Sequence, residues 1–148
     1  MTTRAPRVHG PKRGEIWRVN FNSPLSARTP KRWVPQAQLP TTGDEIFKVR
    51  PAVVMNTAEQ WNLKLRIVVP ITEWNQGHED LEFFWMVKLP ASRLNGLDED
   101  SGADTFQVKS VSLARFGEKL GVVTRDELDQ LATTVAFCIG YTPPSSNS

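Results

Sequence analysis

The octapeptide Lys48-Val49-Arg50-Pro51-Ala52-Val53-Val54-Met55 joins a cation to the start of an apolar run. Proline fixes its own φ and pushes the preceding residue into extended geometry, which leaves Arg50 little backbone freedom. Pro51 has no N–H for a ladder, so it suits the first residue of a strand or an edge, and Ala52 to Met55 read as the strand. An arginine is thereby held at a strand mouth, where its planar, permanently charged fork matches a phosphate. Thr72 closes a second apolar run, Val68-Val69-Pro70-Ile71-Thr72. RNA carries its own nucleophile, the 2′-OH. Cleaving it requires orienting that hydroxyl, stabilising charge on the phosphorane and helping the 5′-oxygen leave, which is mainly electrostatic and positional work. An arginine and a hydroxyl donor at adjacent strand ends can do much of it. The plain alternative is a surface arginine and a strand-closing threonine with no shared role.

Other chemistries lack their residues. There is no Walker loop, dinucleotide fingerprint, zinc spacing or nucleophile elbow, and no cofactor is expected. The single cysteine, Cys138, reads as a small buried hydrophobe. Of the two histidines, His9 belongs to a basic N-terminal arm, and His78 reads as an exposed histidine in the turn Asn75–Asp80. The run Asp98-Glu99-Asp100 reads as a solvated acidic turn rather than a metal site.

The 148 residues carry a formal net charge of +2, unevenly spread. Residues 1–50 hold ten Lys/Arg against three acids, a local charge of +7. Such a basic third marks either a polyanion-facing side or solvated tails and loops. With 39% hydrophobic and 23% charged residues, one soluble domain is expected. No apolar run reaches membrane length and no secretory signal is evident, so a cytoplasmic location without membrane contact is the expectation.

Residues 1–13 read as a flexible basic arm, 14–141 as the domain and 142–148 as a disordered tail. Gly14 to Phe21 alternates, with Trp17, Val19 and Phe21 on the face expected to be buried and Ile16, Arg18 and Asn20 opposite. A long proline-rich loop over 22–45 carries Arg28, Lys31, Arg32 and Trp33; loops of this length tend to be functional or disordered. Lys64–Val69, Phe83–Leu89, Thr105–Val108, Lys109–Leu113 and Phe116–Gly121 read as further strands, and 95–102 as a loop. Thr124 with Glu127 forms a capping-box pattern, followed by Leu128, Leu131, Val135 and Cys138 at helical spacing and a stop at Gly140. Short strands with one closing helix predict a mainly β fold, a strongly curved sheet or open barrel.

Gly14-Glu15-Ile16-Trp17, Lys48 to Val54 and Val68 to Thr72, followed by Gln107-Val108-Lys109-Ser110 and Gly117 to Gly121, resemble the MazF/PemK family of toxins. The similarity spans most of Gly14 to Tyr141. It implies an SH3-like open barrel of short antiparallel strands with a C-terminal helix, usually a homodimer. The implied activity is metal-independent, sequence-selective cleavage of single-stranded RNA through the 2′-OH, giving a cyclic phosphate and restrained by a cognate antitoxin. By the family's motifs, Arg50 would bind the scissile phosphate, Thr72 would donate to it and Glu15 would orient Arg50 or the substrate. Lys48, Arg28, Lys31, Arg32, Gln107, Lys109 and Ser110 would contact the RNA. Arginine is a poor base, so the proton acceptor stays unassigned. A non-catalytic barrel, either an RNA-binding module or a relative of the CcdB-type toxins directed at a topoisomerase, is the alternative.

Overall fold

A computed structural model of the chain describes residues 10–22, 45–56, 62–79, 83–142 and 144. The loop cations Arg28, Lys31 and Arg32, together with Trp33 and His9, lie outside the described residues. The strands are β1 (Glu15–Asn20), β2 (Val49–Val54), β3 (Leu65–Glu73), β4 (Met86–Leu89), β5 (Ser101–Asp104), β6 (Lys109–Ser112) and β7 (Phe116–Val122), followed by the helix α1 (Arg125–Cys138). They form one antiparallel sheet in the order β4-β5-β3-β2-β1-β7, with β6 also paired to β3. The sheet is open, the curved architecture that the short strands imply.

Both faces of the central strands are covered. Ile16, Val53, Val69, Val87, Leu89 and Leu131 form one buried cluster, against which Leu128 and Val135 of α1 pack. Val19, Phe21, Ala52, Val54, Val68 and Val111 form a second, with Trp17 against it. Alternation along β1 predicts one buried face, but Ile16 is buried as completely as Val19, each 0% exposed. The helix covers the face that a bare sheet would leave wet. Its start is fixed locally: Thr124 N–H donates to Glu127 Oε1 at 2.8 Å and Glu127 N–H donates to Thr124 Oγ1 at 3.1 Å. At the other end Gly140, at φ +87°, lets Tyr141 N–H reach Ala136 O. Cys138 is half-buried rather than enclosed, with Sγ 3.4 Å from Thr105 Oγ1.

Where the elements differ from their predicted bounds, tertiary pairing decides. Strand β3 continues through Pro70 to Glu73. Ser101-Gly102-Ala103-Asp104 has low strand propensity but is paired on both sides, by β3 and β4, and forms β5 where a loop is predicted. Thr105–Gln107 is a 3-10 turn, not a strand. Residues Phe83 to Trp85 precede β4 in turns and stack on one another, ring centroids 5.4 and 5.5 Å apart. Residues 10–13, at the end of the basic arm, are docked on the body. Buried Arg66 donates to Pro11 O at 2.7 Å and to the carbonyls of Leu63 and Leu65, each at 2.8 Å.

Gly96 and Gly121 close a backbone approach between the loop after β4 and β7. A Cβ on Gly121 would run into the carbonyls of Leu94 and Asn95, and one on Gly96 into Leu120 O. The same loop continues into Leu97, Asp98 and Glu99, which line one side of a cleft. Gly121→Ala is therefore expected to destabilise the fold by about 1–3 kcal/mol through overpacking, read as a lower thermal midpoint; an unchanged midpoint would show that the loop yields freely.

Candidate functional site: a cleft between two parting strands

Strands β2 and β3 pair only through Ala52↔Pro70, Val53↔Val69 and Val54↔Val68. Beyond Pro70, β3 pairs with β5, while β2 stays with β1 through Arg50↔Val19 and Asn20↔Val49. Neither Pro51 nor Pro70 has an N–H to extend the ladder between them. Continuing the register of the three pairs sets Arg50 opposite Thr72, at the point where the strands separate. Both residues are half-buried, and both line a cleft with two lobes.

One lobe, about 650 Å³, is lined by Lys48, Arg50, Thr72, Glu73, Trp74, Asn75, Gln76 and His78. The other, about 210 Å³, adds Arg18, Pro51, Leu97, Asp98, Glu99 and Leu120. Arg50, Thr72 and Glu73 are common to both. The guanidinium of Arg50 is oriented by its Nε–H, which donates to Phe47 O at 2.8 Å; among the described residues nothing engages the two terminal nitrogens. Among the described residues Thr72 Oγ1 has only a long contact, to Glu73 O at 3.4 Å, which its hydroxyl can give up for a better acceptor.

The approach to Arg50 is strained. Lys48 has φ +75°, rare for any residue with a Cβ, and is held there by two bonds: Phe21 N–H to Lys48 O at 2.9 Å and Lys48 N–H to Asn22 Oδ1 at 3.0 Å. Gln107 Oε1 accepts from Ile46 N–H at 3.2 Å, fixing the same segment. Gln107 does not line the cleft with Arg50 and Thr72. Lys109 and Ser110 are exposed on β6, opposite Val68 and Ile67, and do not line the cleft with Arg50 and Thr72.

Glu15 is not brought to this site. It lies at the start of β1, opposite Val122, whereas Arg50 faces Val19 four residues further on, roughly 13 Å along the strand. Its carboxylate takes Lys12 N–H at 2.7 Å, Trp17 Nε1–H at 3.1 Å and the ammonium of Lys119 at 2.8 Å. A family position read along the sequence identifies the strand but not which end of it meets the cleft.

Two features that read as bland turns do line the cleft. His78 packs edge-to-face on Trp74, ring centroids 5.4 Å apart, and its Nδ1 accepts Asn75 N–H at 3.2 Å. Asp98 and Glu99 form part of the smaller lobe. The spacing of Thr72 to His78 carries no strand or helix period across the 3-10 turn Gln76–Glu79, so sequence had no signal for this placement. Behind the lobe, burial pushes the Asp104 carboxyl up, opposed by the N–H groups of Phe106 and Gln107 and by the charge of His78.

Fold and cleft together define a small SH3-like open-barrel protein with arginine and threonine at the separated ends of two central strands. The family model described as PemK-like, MazF-like toxin of type II toxin-antitoxin system matches residues 12–139, and the chain belongs to that family. Among solved structures, MazF (Form-I) from Deinococcus radiodurans is similar at TM-score 0.64 and 21% identity, over 90% of this chain and 100% of that one. An endoribonuclease in complex with its cognate antitoxin, from Mycobacterial species, is similar at TM-score 0.60 and 15% identity, over 91% and 100%. The MazE-MazF complex (Form-II) from Deinococcus radiodurans gives TM-score 0.60 and 18% identity, over 91% and 100%. No curated protein matches the chain by sequence. Among the described residues no helix is long and apolar enough to cross a membrane.

Burial pushes the Glu15 carboxyl up, but the bonds from Lys119, Lys12 and Trp17 and the charge of Lys119 outweigh it and hold the group below its ordinary value. A depressed folded value contributes stability above the unfolded value, lost as pH falls through the folded one. Glu15→Gln should cost about 1–2 kcal/mol at pH 7. The difference between the two proteins in thermal unfolding should shrink in acid; a constant difference at every pH would refute the ion-pair account.

Proposed function

We propose that this chain is the toxin of a type II toxin–antitoxin pair and an endoribonuclease that cleaves single-stranded RNA without a metal ion. The observation that carries the reading is the meeting of Arg50 and Thr72 in one cleft at the end of the β2–β3 pairing. The family membership supports it, and similar structures named as an endoribonuclease with its cognate antitoxin and as MazE-MazF agree with it.

In this reading a phosphodiester lies across the shared centre of the two lobes. The free terminal nitrogens of Arg50 bind its non-bridging oxygens and stabilise the charge that grows on them. Thr72 turns its hydroxyl from Glu73 O to the same phosphate. Lys48 adds positive charge at the rim of the larger lobe. The 2′-oxygen attacks the adjacent phosphorus, the bond to the 5′-oxygen breaks, and the products are a 2′,3′-cyclic phosphate and a 5′-hydroxyl. Trp74 and His78 offer ring surfaces to a flanking base, the sequence-tolerant way in which single strands are held. Lys109 and Ser110, exposed on β6, and the loop cations Arg28, Lys31 and Arg32 are proposed as outer RNA contacts.

The antitoxin is proposed to cover this cleft, its acidic groups replacing the phosphate on Arg50 and Lys48. A homodimer is proposed as the working unit. Exposed apolar side chains are available for a second copy to cover, including Phe84, Phe106 and Phe137, which lie edge-to-face on one side of the molecule.

Single-stranded RNA incubated with the protein in EDTA should yield cyclic-phosphate ends. Arg50→Ala and Thr72→Ala should each lower kcat by about 10²–10³, the scale of removing one donor from a developing oxyanion. Intact RNA would favour the non-catalytic RNA-binding or topoisomerase-directed alternative, and cleavage only with a divalent ion would contradict the metal-independent mechanism. Sedimentation of the purified chain should return the mass of two subunits; a monomer that cleaves at full rate would reject the dimer.

A further inference from the structure

We infer that Glu73 is the general base of this reaction, the group that takes the proton from the attacking 2′-hydroxyl. The inference rests on the nuclease reading above and supplies the step that arginine and threonine cannot. Arginine stays protonated at all working pH, and a threonine hydroxyl is no base. A proton acceptor must therefore come from another side chain in the cleft, or from bulk water.

Each competing group is engaged by a partner, lies outside the cleft or is confined to one lobe. Glu15 is tied to Lys119, Lys12 and Trp17 at the far end of β1. His78 lines the larger lobe, but its Nδ1 already accepts Asn75 N–H. A ring whose Nδ1 accepts carries its hydrogen on Nε2 and has no second lone pair to offer. Asp104 does not line the cleft. Asp98 and Glu99 line the smaller lobe alone.

Glu73 differs from all of these. It is the last residue of β3, directly after Thr72, and with Arg50 and Thr72 it is one of the three residues that line both lobes. Its side chain is exposed, and among the described residues no hydrogen bond or ion pair engages its carboxylate. Its backbone is held in the ladder opposite Ser101 and its carbonyl receives the Thr72 hydroxyl. A rigid backbone with a free carboxylate suits a base that must reach a ribose beside a phosphate already on Arg50. The charged and titratable groups around it are Arg50 and Lys48 from the β2 side, Arg18 from β1, Asp98 and Glu99 from the loop before β5, and His78 from the turn after β3.

The step balances without a co-reactant. A Glu73 carboxylate oxygen accepts the 2′-OH proton as the 2′-oxygen forms its bond to phosphorus. The bond from phosphorus to the 5′-oxygen breaks, that oxygen takes a proton from water, and Glu73 returns its proton to solvent.

The test is steady-state cleavage of one fluorescent single-stranded RNA by wild type, Glu73→Gln, Glu73→Ala and Arg50→Ala, each first shown to keep the wild-type thermal transition. Glu73→Gln should lower kcat by about 10²–10³, within the range for a general base, with KM unchanged or lower because one negative charge leaves an RNA cleft. Wild-type kcat should fall as pH is lowered and Glu73→Gln should lose that dependence. Formate added to Glu73→Ala should restore part of the rate. Wild-type kcat and pH profile in Glu73→Gln would overturn the inference while leaving the nuclease reading intact. So would a parallel rise in KM with no formate rescue. No cleavage by wild type would defeat the nuclease reading, and the inference with it; cleavage by wild type but not by Arg50→Ala separates that failure from this one.

Discussion

Pro51 and Pro70 sit at the limit of the pairing between β2 and β3, and neither can donate a backbone hydrogen bond. On the near side of that limit lie Val53, Val54, Val68 and Val69, all fully buried. On the far side the strands take different partners, β1 for one and β5 for the other. A gap between two central strands is thus opened inside a sheet whose other faces are packed. Arg50 and Thr72 border that gap because the register of the closed part carries them there. The apolar core holds the two strands together up to Ala52 and Pro70, and thereby fixes how far apart their free ends can move.

The walls of the cleft depend on the same economy of backbone contacts. On one side the loop through Asp98 and Glu99 is pinned by glycines where it meets β7. On the other, Trp74 lies against Gly102 of β5, whose missing Cβ leaves room for the indole. The entry to β2 is held by Gln107, which accepts from Ile46 N–H, and by Asn22, which accepts from the N–H of Lys48 in its left-handed backbone conformation. Strain at that point is consistent with a segment that must present a cation to the cleft rather than continue the strand.

What was legible in the sequence is what local chemistry controls. The Arg-Pro pair marks Arg50 because proline acts on its direct neighbour, and the capping box marks α1 because Thr124 and Glu127 lie one turn apart. Strand β5 was hidden because Ser101-Gly102-Ala103-Asp104 is made a strand only by its two neighbours. Glu73 and His78 were hidden because a strand end and a 3-10 turn carry no period that tells which side faces a cleft. The separation of Glu15 from Arg50 is hidden for the converse reason: its strand is legible, but its distance from Arg50 is a property of the β1–β2 register. The cations of the long loop, Arg28, Lys31 and Arg32, stand outside the described residues, and their part is argued from charge alone.

The central claim is that one phosphate is held between Arg50 and Thr72 where β2 and β3 part. The most direct measurement is a backbone and arginine side-chain NMR titration with a single-stranded RNA made uncleavable by a 2′-deoxy sugar at the scissile position. The account expects the first and largest shifts at Lys48, Arg50, Thr72 and Glu73, with the Glu15 end of β1 unmoved. Saturable shifts confined to the exposed aromatic face or to β6, with Arg50 and Thr72 silent, would contradict it.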